Sequence, residues 1–236
     1  MSGHSKWATI HRQKEINDSA RGQVFSKLAR AITIAAKTGG GPDPDTNFKL
    51  RVLIDKARSA NMPKENIERA ISKASGAEVM DEVTYEGFGP GGIGIIVEAG
   101  TDNRNRTGAE IKNIFERGGG KFAGPGAVSF NFEPKGQILV EKKGTEDEQM
   151  LTLIDLGADD LEFTDDGVEV YTSPTNLFEI QKKLIDAGFS VKSTEMIQKP
   201  KMYQELPSQD EVEKAIKLLT QLNAHDDVQK VYTNLR

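Results

Sequence analysis

The chain has 236 residues, 36% of them hydrophobic, no cysteine, and a formal net charge of −5. That length leaves room for two or three domains, while the lack of cysteine excludes a disulfide framework, a thiolate nucleophile and a cysteine zinc site. The longest apolar run, Ile93-Gly94-Ile95-Ile96-Val97, is the size of a strand and far short of a bilayer-spanning helix, and Met1-Ser2-Gly3-His4-Ser5-Lys6-Trp7 contains no signal-type apolar stretch. A cytoplasmic protein with no membrane partner is expected.

The first 17 residues read as a basic, aromatic-containing arm with His4, Lys6, Trp7, His11, Arg12 and Lys14. The spacing predicts a helix from about Asp18 to Lys37, with Val24, Phe25, Leu28, Ala29, Ile32 and Ala36 forming one apolar stripe. Lys27, Arg30 and Lys37 fall on the opposite face. Glycines 39–41 and Pro42 stop this helix. Asp45 is the expected N-cap of a second helix to Ala60, with Leu50, Leu53, Ile54 and Ala57 facing inward. A third helix starts near Pro63 and ends at Gly76, with Ile67, Ala70, Ile71 and Ala74 on one side. Residues 1–76 thus form a basic helical domain.

Beyond Gly76 the texture changes. Glu78 to Glu82 reads as an acidic linker. Strand character is expected at Tyr85, from Ile93 to Ala99 and from Val128 to Phe132, with a helix from Asn105 to Arg117 closed by Gly118-Gly119-Gly120. A helix from Glu211 to Leu222 and a strand from Val228 to Tyr232 finish the chain. The two pieces, 77–135 and 206–236, complete each other as one discontinuous α+β domain. Between them, residues 136–205 follow the order β-α-β-β-α-β of the ferredoxin-like plan: Gln137–Val140, Asp147–Leu156, Asp160–Phe163, Val168–Tyr171, Asn176–Ala187 and Val191–Ile197. Thr164-Asp165-Asp166-Gly167, with its Asp-Gly pair, is the expected hairpin turn. The fold class is therefore α+β: an N-terminal three-helix domain followed by two α+β domains, one ferredoxin-like and inserted in the other.

Charge is divided unequally among these parts. Residues 1–76 hold 14 Lys+Arg against 7 Asp+Glu, and the rest hold 17 against 29. A local basic surface attracts polyanions even on an acidic molecule. The candidate phosphate contacts are His4, Lys6, Trp7, His11, Arg12, Lys14, Arg21, Lys27, Arg30 and Lys37. Trp7, the single tryptophan, offers a face for a stacked base or packs under the first helix; both readings stand. The insert, with 7 basic and 15 acidic residues, suits a protein partner or solvent better than phosphate.

Catalytic patterns are weak. Gly87-Phe88-Gly89-Pro90-Gly91-Gly92 satisfies G-x-G-x-x-G in letters, but a strand follows it where a dinucleotide site needs a helix, and Pro90 lacks an N–H. It reads instead as a tight turn, or as a loop whose backbone can approach RNA or a partner closely. Gly118-Gly119-Gly120-Lys121 is first a helix stop, with phosphate contact as the second reading. His225 with Asp226 and Asp227 reads as a solvated loop, and the three histidines form no site. Asp159-Asp160 and Asp165-Asp166 suit turns. No cofactor, metal site or enzymatic activity is expected.

Longer runs carry a resemblance. Gly3-His4-Ser5-Lys6-Trp7-Ala8-Thr9-Ile10-His11 resembles the opening of the YebC/PmpR family, as do Tyr85 to Gly92, Thr101-Asp102-Asn103-Arg104-Asn105-Arg106-Thr107, Gly118 to Lys121, and His225 to Asn234. The resemblance implies a three-domain nucleic-acid-binding regulator. Family members are described as bacterial transcriptional regulators that bind promoter DNA, and mitochondrial relatives as translational activators. A ribosome-associated role in synthesising difficult proline-rich stretches is also attributed to bacterial members. The implied partner is promoter DNA or ribosomal RNA. The third predicted helix is not notably basic, which weakens a helix-turn-helix reading and leaves both targets open.

Overall fold

The computed structural model describes residues 21–38, 40–75 and 81–236, except for the side chains of Arg21 and Gln23. The arm with His4, Lys6, Trp7, His11, Arg12 and Lys14 lies outside the described residues. What is described is an N-terminal three-helix region followed by two α+β domains, each built on a four-stranded antiparallel sheet.

The helical region comprises α1 (Arg21–Thr38), α2 (Phe48–Ser59) and α3 (Lys64–Lys73). Its core is the predicted stripe: Leu28, Ile32, Ala35 and Ala36 of α1 meet Leu50, Ile54 and Ala57 of α2 and Ile67 and Ala70 of α3. Thr33 spans two helices, donating its hydroxyl to the Ala70 carbonyl at 2.8 Å. Asp45 is not the cap of α2. Asn47 is: its side chain accepts from the Leu50 N–H at 3.0 Å and donates to the carbonyls of Ala35 and Gly41, so a fully buried amide caps one helix and ties it to the preceding one. An aspartate there could accept but not donate.

The opposite side of α1 differs from expectation. It is not a free cationic face, because Ile34 is buried against Gly100 and Lys27 and Arg30 are half-buried. The helix is covered on two sides, by α2 and α3 and by the first α+β domain.

That domain contains β1 (Asp81–Phe88), β2 (Gly94–Thr101), α4 (Arg104–Arg117), β3 (Lys121–Ala123), α7 (Gln209–Ala224) and β8 (Val228–Thr233). The sheet order is β3-β1-β2-β8. Glu82, predicted as linker, lies in β1. Tyr85, Ile95, Val97 and Val231 point to one face and pack on Ile111 and Phe115 of α4 and Ala215, Leu218, Leu219 and Leu222 of α7. Gly87 belongs to this inner face, since a Cβ there would stand 2.6 Å from the Phe115 ring and 2.7 Å from the Lys121 carbonyl oxygen. By the two-residue period, Glu86 and Phe88 therefore lie on the outer face.

Val128 to Phe132 is not a strand of its own. A 3-10 turn covers Ser129–Asn131, and Phe132 opens β4 (Phe132–Val140) of the second unit, residues 132–201. There follow α5 (Glu146–Asp155), β5 (Asp160–Thr164), β6 (Gly167–Thr172), α6 (Leu177–Asp186) and β7 (Val191–Pro200). The order β5-β6-β4-β7 is the ferredoxin-like arrangement. The hairpin turn falls within the expected Thr164-Asp165-Asp166-Gly167: Thr164 and Gly167 are paired, and Asp165 and Asp166 form the loop.

Candidate nucleic-acid interface

Four of the runs that resemble the family meet pairwise in space. The first meeting point is Asp227, about 5% exposed although it follows two polar residues near the chain end. Thr107 donates its hydroxyl to Asp227 Oδ2 at 2.5 Å, Arg106 donates to the same oxygen at 3.2 Å, and Arg30 of α1 pairs with Oδ1. Thr101 supports Thr107 at 2.7 Å between hydroxyl oxygens, and Asn103 caps α4 by accepting from the Arg106 N–H. The run Thr101 to Thr107 is thus a strand end, a helix cap and two of the donors that hold a carboxylate 120 residues away. Burial pushes the Asp227 carboxyl up, but the Thr107 and Arg106 hydrogen bonds and the Arg30 charge outweigh it and hold it below the ordinary range.

His225, predicted as solvated, closes the other side. Its Nδ1 accepts the Asp227 N–H at 3.1 Å, which leaves the proton on Nε2, 2.9 Å from Glu110. Glu110, His225 and Asp227 bring ligand-type atoms within 4.8 Å of one another. Both Asp227 oxygens are already taken by two guanidinium groups and a hydroxyl, so the place of a metal's charge is filled by arginine. The cluster is an ion-pair junction.

The predicted phosphate contacts divide accordingly. Arg30 also donates to the Asp226 carbonyl at 3.0 Å, and Lys27 donates to the Asn223 carbonyl in the last turn of α7, a favourable place for a cation. Both hold α1 against the α+β domain. Lys37 is exposed in the last turn of α1. Arg21 opens α1, with its side chain outside the described residues. Sequence reasoning did not single out Arg69 and Lys73, two exposed cations of α3 that have no carboxylate partner among the described residues. Lys64 in the same helix pairs with Glu68 at 3.5 Å, so α3 carries mixed charge.

The second meeting point joins the two glycine runs. Phe88 and Lys121 are directly paired across β1 and β3, and a Cβ on Gly120 would stand 2.6 Å from the Phe88 carbonyl oxygen. Gly91 and Gly92 turn with φ of 70° and 81°, values that favour glycine. Close by, the outer-face carboxylate of Glu86 accepts the N–H groups of Gly126 at 2.8 Å, Val128 at 2.7 Å and Ser129 at 3.0 Å. Burial pushes Glu86 up, and these three backbone donors pull it further down, so it stays charged and pins the 126–129 segment to the sheet. Sequence reading gave no role to Glu86, Phe88 or this loop.

Comparison with known proteins now decides the family. Residues 5–77 match the TACO1/YebC protein N-terminal domain, and residues 80–235 match the TACO1/YebC second and third domain. The chain belongs to the TACO1/YebC family. A "Probable transcriptional regulatory protein" of Chloroflexus aurantiacus is 47% identical over 241 residues, covering 100% of this chain and 95% of that one. One of the same description from Dictyoglomus turgidum is 47% identical over 239 residues, covering 99% and 95%. The crystal structure of a conserved hypothetical protein from Aquifex aeolicus superposes with a TM-score of 0.85 at 40% identity, covering 93% of this chain and 91% of that one. Membership of this regulatory family makes the chain a non-enzymatic protein. Among the described residues, no helix is long and apolar enough to cross a membrane.

Proposed function

We propose that this TACO1/YebC protein is a nucleic-acid-binding regulator that acts on transcription by contacting DNA through its basic N-terminal region. The observation that carries this reading is the segregation of charge: 14 basic against 7 acidic residues in 1–76, within a chain of net charge −5. The description of the relatives as probable transcriptional regulators points the same way. The contacts would come from Lys6, Arg12, Lys14, Arg21 and Lys37, with His4, Trp7 and His11 beside them and Arg69 and Lys73 added from α3. Lys27 and Arg30 would contribute indirectly, by fixing α1.

A second reading takes ribosomal RNA as the target. It is favoured by the mixed charge of α3, which offers phosphate contacts without a surface for reading base edges. The acidic insert would face a protein partner: Leu151 and Ile154 of α5 are exposed beside Glu146, Asp147, Glu148 and Asp155. Sedimentation of the tagged protein in a lysate gradient, with and without Lys6→Glu, Arg12→Glu and Lys14→Glu, separates the targets. Co-migration with ribosomes that the triple variant loses supports the RNA target. Wild-type protein staying at the top at low salt, together with salt-dependent binding to duplex DNA, supports transcription. Absence of both overturns nucleic-acid binding.

A further inference from the structure

Outside the helical region, one side of the first α+β domain combines an exposed ring, unpaired cations and glycine turns. Phe88 is 37% exposed at the end of β1. The register places Lys121 opposite it, so both side chains rise from the outer face of the sheet, with the partner residues' Cβ atoms roughly 5 Å apart. The assignment of faces is independent of exposure: the next pair, Gly87 and Phe122, points inward, where Phe122 meets Phe115 edge-on at 6.1 Å and Tyr85 at 6.0 Å between ring centroids. On its other side Phe88 pairs with Gly94, which has no side chain. Among the described residues paired with Phe88, Lys121 is the one with a side chain beside the ring.

One cation stands beside the ring in the sheet. Lys121 is exposed and has no carboxylate partner among the described residues, and the same holds for Arg117 in the last turn of α4, four residues before it. Between them run Gly118-Gly119-Gly120. Of the nearby acids, Glu86 is closed off by three backbone donors and Glu116 pairs with Lys112, while Glu211 of α7 lies against the Gly91 turn. A second exposed ring, Phe130, follows directly on the segment that Glu86 anchors to the same face.

We infer that Phe88 and Lys121 form a platform for an unpaired base of single-stranded nucleic acid, the ring stacking on the base and Lys121 neutralising a flanking phosphate. A lone apolar partner would leave the cation without purpose, and a phosphate alone would leave the ring exposed; a nucleotide in a single strand satisfies both. In a duplex the base faces are already stacked, so the platform discriminates against it. This inference rests on the nucleic-acid reading above but assigns a different surface, specific for single strands.

The test uses the full-length protein and fluorescence anisotropy with labelled dodecamers: oligo-U RNA, oligo-dT DNA and a DNA duplex. Phe88→Ala is expected to weaken single-strand binding about 5-fold or more, the lower end of what one stacked base contributes. Phe88→Tyr keeps a ring and is expected to bind as wild type, whereas Phe88→Leu, with bulk but no ring, should lose affinity as Ala does. Lys121→Gln should reduce the salt dependence of single-strand binding by about one ion. The ratio of U to dT affinity identifies RNA or DNA as the source of the strand, and either upholds the platform. The inference is overturned if Phe88→Ala binds single strands as wild type, if Leu restores what Tyr restores, or if wild type binds only duplex. The last result leaves the function proposed above standing, whereas binding to none of the three probes removes both.

Discussion

Replacing Asp227 by alanine tests whether its carboxylate is the junction between α1 and the first α+β domain. The substitution removes the acceptor of a 2.5 Å bond from the buried Thr107 hydroxyl, and bonds of this charge-assisted kind contribute about 1.5–3 kcal/mol. Arg30 and Arg106 lose their shared partner as well. Arg30, its side chain 31% exposed, adds only the ~0.5–1 kcal/mol of a partly exposed ion pair, and Arg106, 47% exposed, can turn to water. Against this, alanine avoids the desolvation of a buried charge. The net loss should be about 2–4 kcal/mol, or roughly 5–12 °C in Tm for a chain of this size. Thermal unfolding followed by circular dichroism measures it, and hydrogen exchange locates it: amides of α1 should exchange faster than those of β4 or β6. Asp227→Asn, which keeps shape and one acceptor, should cost less. A Tm within 1–2 °C of wild type, with α1 protection unchanged, would refute the junction.

Acid should act through the same carboxylate. Asp227 and Glu86 both have depressed pKa values, so their stabilising contribution is present above the unfolded values of about 3.9 and 4.3 and is lost as pH falls through the folded ones. Urea midpoints should therefore drop between about pH 5 and pH 3, and the Glu86→Gln/Asp227→Asn double variant should show a shallower drop; an equally steep one would place the acid sensitivity elsewhere. Gly87→Ala should cost about 1–3 kcal/mol by overpacking, because the new methyl meets the immobile Lys121 carbonyl oxygen as well as Phe115; a neutral effect in urea unfolding would mean the strand can shift. Arg69→Glu with Lys73→Glu should weaken duplex binding and flatten its salt dependence by about two ions, whereas Lys27→Gln should lower stability more than the salt slope. The reverse pattern would make Lys27 the phosphate contact and α3 a bystander.

Periodic features of the fold were legible because they are local. The stripe of α1, the glycine stops, and the β-α-β-β-α-β order of the insert each depend on residues within a few positions of one another. The misses have physical reasons. β3 is three residues long, behind three glycines, and exists because β1 offers it an edge. Val128 to Phe132 has strand-like composition, but Glu86 binds the N–H groups of Gly126, Val128 and Ser129, which bends the chain into a turn before β4 begins. Asn47 took the capping role expected of Asp45 because the site requires a donor as well as an acceptor.

The site was less legible than the fold for a related reason. A lysine on the polar side of an amphipathic helix reads the same whether water, phosphate or another domain lies beyond it. Arg30 meets its carboxylate 197 positions along the chain, a distance over which composition and spacing carry no signal. Asp227 and His225 likewise look like the polar loop they would be without Arg30, Thr107 and Glu110.

The two meeting points separate roles that charge alone had merged. If every cation of the helical region bound phosphate, α1 would lose the directional bonds that accompany the apolar contact of Ile34 on Gly100. Lys27 and Arg30 supply the missing directionality, and in doing so leave the pool available to a polyanion. Among the described residues, exposed cations without a carboxylate partner on the unit that carries α1 include Arg69 and Lys73 of α3, and Arg117 and Lys121 on either side of the glycine turn. The first group lies on a helix with interspersed acids and suits any phosphate backbone. The second includes Lys121, which stands beside an aromatic ring and suits a strand whose bases are free. Because the Asp227 junction holds α1 against the domain that carries the ring, loosening it should alter the geometry between the groups, so a ligand that touches both should lose affinity in Asp227→Ala while one that touches a single group should not.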